Sequence, residues 1–210
     1  LNTCMSISFP YPLPQTWSLD DAYVLLPHLP LLDVKHIELA KNTYYHPPLK
    51  ENLQMVDGLV NGLKIQSRNT DPLPFTESKF CRDIEEFFGS VVAKYSKMDP
   101  FTVYDWHQDL DRPYCINTLI VSPPNSMSLH RKPLNRMVYS IREVEYVMMQ
   151  PLLFNSSIPH CIINNSNQTR HIMSISMLHT KRTWDEAKEF LLNYQCDSCL
   201  LQRRHREDET

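Results

Sequence analysis

The stretch Trp106-His107-Gln108-Asp109 decides how this chain is interpreted, and it follows the β-branched and aromatic run Phe101–Asp105. Such runs favour extended backbone. On a strand, side chains two residues apart project to the same face, so His107 and Asp109 are expected to face one space together. A second histidine, His160, follows about fifty residues later in another strand-like run, and Arg170 stands ten residues beyond it.

Two histidines and one carboxylate are the donor set of a facial Fe(II) site, which leaves coordination positions open. An arginine beyond the second histidine can hold a carboxylate with its planar fork of donors. A His-x-Asp triplet by itself arises easily by chance. The strand-like runs around both histidines and the arginine that follows favour a genuine site over coincidence.

This order and spacing, over roughly residues 100–180, resembles the Fe(II)- and 2-oxoglutarate-dependent oxygenases of the prolyl-hydroxylase-like, small microbial or phage type. The resemblance implies a mainly β fold with flanking helices around a double-stranded β-helix (jelly-roll, cupin-like) core. It implies Fe(II) held by His107, Asp109 and His160. It also implies hydroxylation of an unknown substrate, with oxidative decarboxylation of the cosubstrate 2-oxoglutarate to succinate and CO2.

The resemblance also assigns side chains to the cosubstrate. Arg170 is expected to bind its distal carboxylate, helped by Ser174, which lies four residues on and therefore on the same strand face. Tyr104 and Asn117 are expected to add hydrogen bonds. For Asn117, a polar residue on an edge strand is an equally good interpretation.

Two arginines have alternative interpretations. Arg112 either binds substrate or forms an ion pair with Asp109 or Asp111, and the ion pair is favoured. Arg170 could instead reach back to solvent or to Asp105. However, Arg170 begins an apolar run, where burying an unpaired charge is costly, and this favours an arginine that binds an anion.

The region 100–178 is predicted to be the β core, because short strand-like runs alternate there with Pro, Asn and Ser clusters. The predicted strands are Phe101–Trp106, Tyr114–Val121, Met137–Ile141, Val144–Met148, Leu152–Phe154, Ile158–Ile163 and Arg170–Met177. The polar segment Ser122–Leu134 is predicted to be a mobile lid over the barrel mouth, with His130 solvated.

The flanks complete a single expected domain, 1–210. Residues 1–32 are Pro-rich and predict an extended arm. A stripe that includes Phe80, Ile84, Val91 and Tyr95 predicts a buttressing helix over 76–96. Further predictions are a short helix near Val34–Tyr45, a helix over 183–195 opened by a capping box at Thr183, and a disordered charged tail over 203–210.

Composition limits the function. The chain has 210 residues, a net charge of −3 and a pI near 6.3, which does not favour a nucleic-acid partner. No apolar segment approaches membrane-spanning length and no signal peptide is visible, so a cytoplasmic location is expected. Cys196 and Cys199 form a lone Cys-x-x-Cys, whereas a zinc site needs further ligands.

The sequence favours a small-molecule or peptidyl substrate and leaves its identity and the oligomeric state open. One rival is a non-catalytic binding or structural protein that keeps the barrel. Loss of a ligand or of the arginine would mark it, and here all four residues are present. A cupin-like non-oxygenase metal enzyme is less favoured, because its first motif usually has more histidines and its turns more glycine than the three present here.

Overall fold

The computed structural model describes residues 18–29, 35–46, 67–73, 79–109, 111–134 and 139–195. Its helices are α1 (Lys35–Asn42), α2 (Lys79–Phe88) and α3 (Trp184–Leu192), with a short 3-10 helix at Leu19–Asp21. Its strands are β1 (Tyr23–Leu25), β2 (Ser67–Asn69), β3 (Val91–Met98), β4 (Thr102–His107), β5 (Tyr114–Val121), β6 (Ser126–Pro133), β7 (Tyr139–Glu143), β8 (Pro151–Asn155), β9 (His160–Asn164) and β10 (Arg170–Met177).

These strands form two antiparallel sheets. The large sheet has the order β1-β8-β5-β10-β3-β2, and the small sheet has the order β4-β9-β6-β7. Along the chain, β8, β9 and β10 alternate between the sheets, so the polypeptide winds around a shared interior. This confirms the expected mainly β architecture, a double-stranded β-helix with flanking helices.

The large sheet turns an apolar outer face toward the helices that cover it. Central strand β10 pairs with β5 on one side and β3 on the other, so that Ile175 lies opposite both Ile116 and Ala93. Ile84 of α2 and Leu191 of α3 are buried in the same core cluster. The helices also contact each other, since the rings of Phe87 and Phe190 stack at 4.0 Å. The capping box predicted at Thr183 is confirmed at the start of α3.

The helix predicted over 76–96 is wrong in its second half. Helix α2 ends at Phe88, and Gly89 follows with φ of +88°, a left-handed conformation that suits glycine and ends helices. The chain then enters β3, where burial alternates and Val91 pairs with Met177. Strand pairing in the large sheet therefore overrides the apparent helical stripe. Residues 74–78, with the proposed N-cap Thr76, lie outside the described residues.

The predicted lid over Ser122–Leu134 is also wrong, because most of it forms β6, an inner strand between β9 and β7. Ser128 and His130 are buried, and His130 is 0% exposed rather than solvated. The Nε2 of His130 lies 3.2 Å from the carbonyl of Asn155, and burial lowers its pKa to about 4. The side chains of β6 that face the interior are polar. The composition of this strand therefore resembles that of a surface loop, and this explains the wrong prediction.

Other boundaries differ in detail. The strand predicted over Val144–Met148 is wrong, since the described residues between β7 and β8 form a loop. Of the strand predicted over Met137–Ile141, the part from Tyr139 is found in β7, and 135–138 lie outside the described residues. The part of the 1–32 arm that the structure describes, residues 18–29, includes β1, which pairs with β8.

Several expectations fall on residues that are not described: most of the arm, the pair Cys196 and Cys199, and the 203–210 tail. The single-domain assignment for the whole chain stays a prediction. Among the described residues, no helix is both long and apolar enough to cross a membrane.

Candidate metal centre and cosubstrate pocket

The end of β4 and the start of β9 bring the two predicted histidines together. His107 and His160 are directly paired across these antiparallel strands, and their ring centroids lie 4.1 Å apart. Strand β4 stops at His107, so Asp109 reaches the cluster from the following segment, where its N–H donates to the Ser156 carbonyl at 2.9 Å. One donor atom from each of the three residues lies within 4.8 Å of the others.

Each histidine ring is oriented by a backbone carbonyl two residues earlier. The Nδ1 of His107 lies 2.6 Å from the Asp105 carbonyl, and the Nδ1 of His160 lies 2.8 Å from the Ile158 carbonyl. A carbonyl only accepts, so both Nδ1 atoms carry the hydrogen and both Nε2 atoms keep a lone pair. The Nε2 of His107 is buried without a hydrogen-bond partner among the described residues. This is the arrangement of a metal-ligating histidine pair.

The environment keeps both imidazoles neutral. The pKa of His160 lies well below its usual value. Burial is the largest cause, and the neighbouring His107 and His130 lower the pKa further. Burial also lowers the pKa of His107, against the opposing effect of Asp109. Neutral imidazole is the form that binds metal ions, so the pair is ready for a cation near neutral pH.

The carboxylate of Asp109 lies between an imidazole and an arginine. Its Oδ2 is 3.6 Å from the Nε2 of His160 and 3.0 Å from a terminal nitrogen of Arg112. Burial alone would lower the pKa of Arg112, but the charge of Asp109 raises it above the usual arginine value. The favoured interpretation of Arg112 as an ion-pair partner is confirmed, with Asp109 rather than Asp111.

Arg170 is a buried cation that contacts hydroxyl groups. It is 3% exposed, and its terminal nitrogens donate to Ser126 Oγ at 3.2 Å and Ser128 Oγ at 3.0 Å. The guanidinium also lies 5.2 Å from the ring centroid of Tyr146. No carboxylate of the described residues pairs with it, and Asp105 instead accepts from the Trp106 N–H. Burial lowers the pKa of Arg170, the sign of a charge that has lost water without gaining an anion.

All seven residues predicted for the site line one cavity of about 70 Å³: Tyr104, His107, Asp109, Asn117, His160, Arg170 and Ser174. Arg170 and Ser174 share the inner face of β10, as expected. Asn117 lies directly opposite Ser174 on β5, inside the sheet rather than at its edge. A register shift between Tyr104 and His107 turns both rings into the cavity although they are three residues apart.

The sequence did not identify three residues that surround Arg170. Ser126 and Ser128 lie in the segment mistaken for a lid, and their alternation with Met127 and Leu129 is the signal that could have revealed a strand. Tyr146 lies in the loop after β7, in the stretch Val144–Met148 that was predicted to be a strand, and no motif marks it as a site residue. Its hydroxyl accepts from the Asn117 amide at 3.3 Å, and burial raises its pKa to about 12.

No protein-family model and no curated protein matches this sequence. Among solved structures, the chain is similar to a prolyl hydroxylase from Trichoplax adhaerens in complex with a hypoxia inducible factor oxygen degradation domain peptide fragment. That similarity has a TM-score of 0.51 at 12% identity and covers 84% of this chain and 89% of the other.

A Pseudomonas putida prolyl-4-hydroxylase has a TM-score of 0.49 at 13% identity, covering 75% of this chain and 92% of the other. At the 12% identity of the Trichoplax structure, the likeness shows a shared fold. The chain therefore has the double-stranded β-helix fold found in a prolyl hydroxylase, with a His-Asp-His group in its interior.

Proposed function

We propose that this protein is an Fe(II)- and 2-oxoglutarate-dependent oxygenase that hydroxylates a small-molecule or peptidyl substrate. The observation that carries the proposal is the position of Arg170. A fully buried guanidinium without a carboxylate partner among the described residues lines the same cavity as a three-donor metal group. An isolated buried charge is costly, so a site of this kind calls for an anion.

The donor chemistry fits Fe(II). Two neutral imidazoles and one carboxylate form the set that non-haem iron oxygenases use, and three protein ligands leave positions for a cosubstrate and oxygen. His107, Asp109 and His160 would hold the ion, and the carbonyls of Asp105 and Ile158 would fix the two rings. Bound Fe(II) would supply the oxidising chemistry with dioxygen.

The rest of the cavity fits 2-oxoglutarate as cosubstrate. The planar fork of Arg170 matches a carboxylate, and burial strengthens that pairing because water is excluded. Ser174 would add a hydroxyl from the same strand face, while Asn117 and Tyr104 would add hydrogen bonds along the cavity wall. Ser126 and Ser128 would hold the guanidinium in place before the anion arrives.

The alternative of a non-catalytic binding or structural protein predicts the loss of a ligand or of the arginine. Here the three donors converge, and the two imidazole rings keep their Nε2 lone pairs available. The features that catalysis needs are therefore present together, which supports the enzymatic interpretation.

Metal analysis combined with a 2-oxoglutarate turnover assay tests the proposal. The purified protein is expected to bind one Fe(II) under anaerobic conditions and to form succinate slowly in air without added substrate. Asp109→Ala should lose both properties. Asp105→Ala is the matched control, because this exposed carboxylate lies on β4 outside the donor group, and the substitution keeps the backbone carbonyl that orients His107. Wild-type protein that binds Fe(II) but forms no succinate would support the non-catalytic alternative.

A further inference from the structure

The cavity contains two arginines at different depths, and the proposed function uses one of them. Arg170 is 3% exposed, whereas the side chain of Arg112 is 34% exposed and is therefore in contact with solvent. Asp109 is the acid that pairs with Arg112 among the described residues. It is also the only acid among the described residues that line the cavity.

The partner of Arg112 is the carboxylate that a metal ion would take. The same atom, Asp109 Oδ2, lies 3.0 Å from Arg112 and 3.6 Å from the Nε2 of His160. A divalent ion between the histidines and Asp109 would draw charge from this oxygen. The hydrogen bond to Arg112 would weaken, because a metal-bound carboxylate is a poorer acceptor than a free one.

The sum of charges in the cavity also indicates that Arg112 lacks a partner in the loaded protein. Arg112 and Arg170 bring two positive charges to the cavity, and Asp109 brings one negative charge. A divalent metal adds two positive charges, and a 2-oxoglutarate dianion adds two negative charges. One positive charge then remains uncompensated. It belongs to Arg112, because the cosubstrate pairs with Arg170.

The other cation near the cavity already has partners. Lys97 contributes to the lining, but its ammonium lies 4.9 Å from the ring centroid of Tyr45 and 3.9 Å from a carboxylate oxygen of Asp99, a carboxylate that also pairs with Arg68 at 2.9 Å. The unmatched charge beside the metal group is thus a guanidinium, whose planar fork suits a carboxylate.

We propose that Arg112 is the substrate anchor and that the substrate carries a carboxylate close to the carbon that reacts. This inference rests on the proposed function and specifies its substrate class. In the metal-free protein Arg112 pairs with Asp109. Once metal and 2-oxoglutarate are bound, Arg112 turns its free donors to the carboxylate of the substrate and so positions the neighbouring carbon beside the metal. The acid is either a free amino acid or an acidic side chain of a peptide.

The first measurements establish the loaded state. Binding of Mn(II), which stands in for Fe(II) without turnover, and then of 2-oxoglutarate is measured by titration calorimetry for wild type and variants. If neither binds to the wild-type protein, the proposed function is wrong and this inference falls with it. If both bind, the following steps test Arg112 alone.

The probes are matched acids and amides. One set is the twenty free L-amino acids against their carboxamides. The other is the N-acetylated, C-amidated peptides Ala-Asp-Ala and Ala-Glu-Ala against Ala-Asn-Ala and Ala-Gln-Ala. We expect an acid from one set to raise the melting temperature of the Mn(II)- and 2-oxoglutarate-loaded protein. The same acid should accelerate succinate formation with Fe(II), and its amide should do neither. Which set responds distinguishes a free amino acid from a peptide.

Variants then assign the effect to Arg112. At saturating Mn(II) and 2-oxoglutarate, Arg112→Gln should weaken binding of the active acid by about tenfold or more, since a charge-assisted contact is lost. Arg112→Lys keeps a positive charge beside Asp109 but lacks the planar fork. Because Asp109 keeps a partner, this variant should fold, and it should also bind the acid more weakly than the wild type. Arg182→Gln, a surface arginine outside the cavity, should change the affinity by less than about twofold.

Three results would overturn the inference while leaving the proposed function intact. Amides could bind as tightly as acids, the Arg112 variants could bind the acid as tightly as wild type, or the loaded protein could respond to none of the acids.

Discussion

The two sheets of this barrel differ in their contribution to stability and to the candidate metal site. The large sheet packs its outer face against α2 and α3, and its central strands β5 and β10 are almost entirely buried. The small sheet supplies His107 and His160 from β4 and β9, and the serines that hold Arg170 from β6. Stability is therefore concentrated in the large sheet. The large sheet also turns Asn117, Arg170 and Ser174 to the cavity, but helices cover its other face. On the outer face of the small sheet, Leu129 is half-buried and Ile141 is exposed.

The largest expected effect lies beside the small sheet, in the segment that follows β4, and should leave the large sheet untouched. Asp109→Ala removes the only carboxylate of the donor group, so Fe(II) or Mn(II) binding should be abolished. Circular dichroism should show that the protein stays folded at ordinary temperature, although Arg112 loses its partner and the melting temperature falls. The exposed Asp105→Ala variant serves as the control. Unfolding of Asp109→Ala at ordinary temperature would show that the two sheets are not separable in this way.

The converse change lies in the large sheet. Ile116→Ala opens a hole in the helix-covered core, where Ile116 is buried against Ile175 and Leu153, and should lower the free energy of unfolding by about 2–5 kcal/mol. Leu129→Ala, on the half-buried outer face of the small sheet, should cost roughly half as much or less. Urea denaturation measures both. Equal losses would contradict the difference between the sheets.

A smaller effect is expected where the sheets meet around the cosubstrate. Arg170→Lys keeps the charge but loses the fork, so the apparent KM for 2-oxoglutarate should rise about tenfold or more, corresponding to about 1.5–3 kcal/mol. Metal affinity should barely change. Arg142→Lys, at the pair of Arg142 with Asp20 outside the cavity, is the matched control. An unchanged KM in Arg170→Lys would mean that the cosubstrate is held elsewhere.

The smallest effect concerns the helix cover of the large sheet. Thr183 caps α3 by accepting from the Glu186 N–H at 3.2 Å, and Thr183→Ala should destabilise the protein by about 1 kcal/mol. Thr183→Ser retains the oxygen and should restore most of the loss in thermal denaturation. Metal binding should be the same in both variants, because the cap lies outside the cavity. A capping variant that weakens metal binding would show coupling between the helix and the site.

The sequence predicted the parts of the fold where pattern and environment agree. Strands β5 and β10 are rich in apolar and β-branched residues and are covered on the outside by helices, so their bounds follow from composition. In β3 the spacing misled, because Val91 and Tyr95 are four residues apart, which places them on one face of either a helix or a strand. In β6 the burial of polar side chains reversed the usual rule, since this strand faces a cavity.

The candidate site was predictable to a similar extent. Its seven proposed residues followed from motif spacing and the resemblance, and the structure brings all of them to one cavity. Tyr146 could not be predicted, because the fold positions it from an irregular loop through contacts with Asn117 and Arg170. Long-range partners of this kind leave no periodic signal in the chain.

The position of β4 has a consequence for how the donor group is kept intact. Among the described strands, β4 is one of the two edge strands of the small sheet, bonded to β9 on one side, and it ends at His107. Edge strands open locally at lower free energy than the rest of a protein. Fraying of this one strand would separate His107 from His160 without global unfolding. Any ion that bridges the two histidines would hold the strand closed, so amide hydrogen exchange in 102–107 should report site occupancy directly.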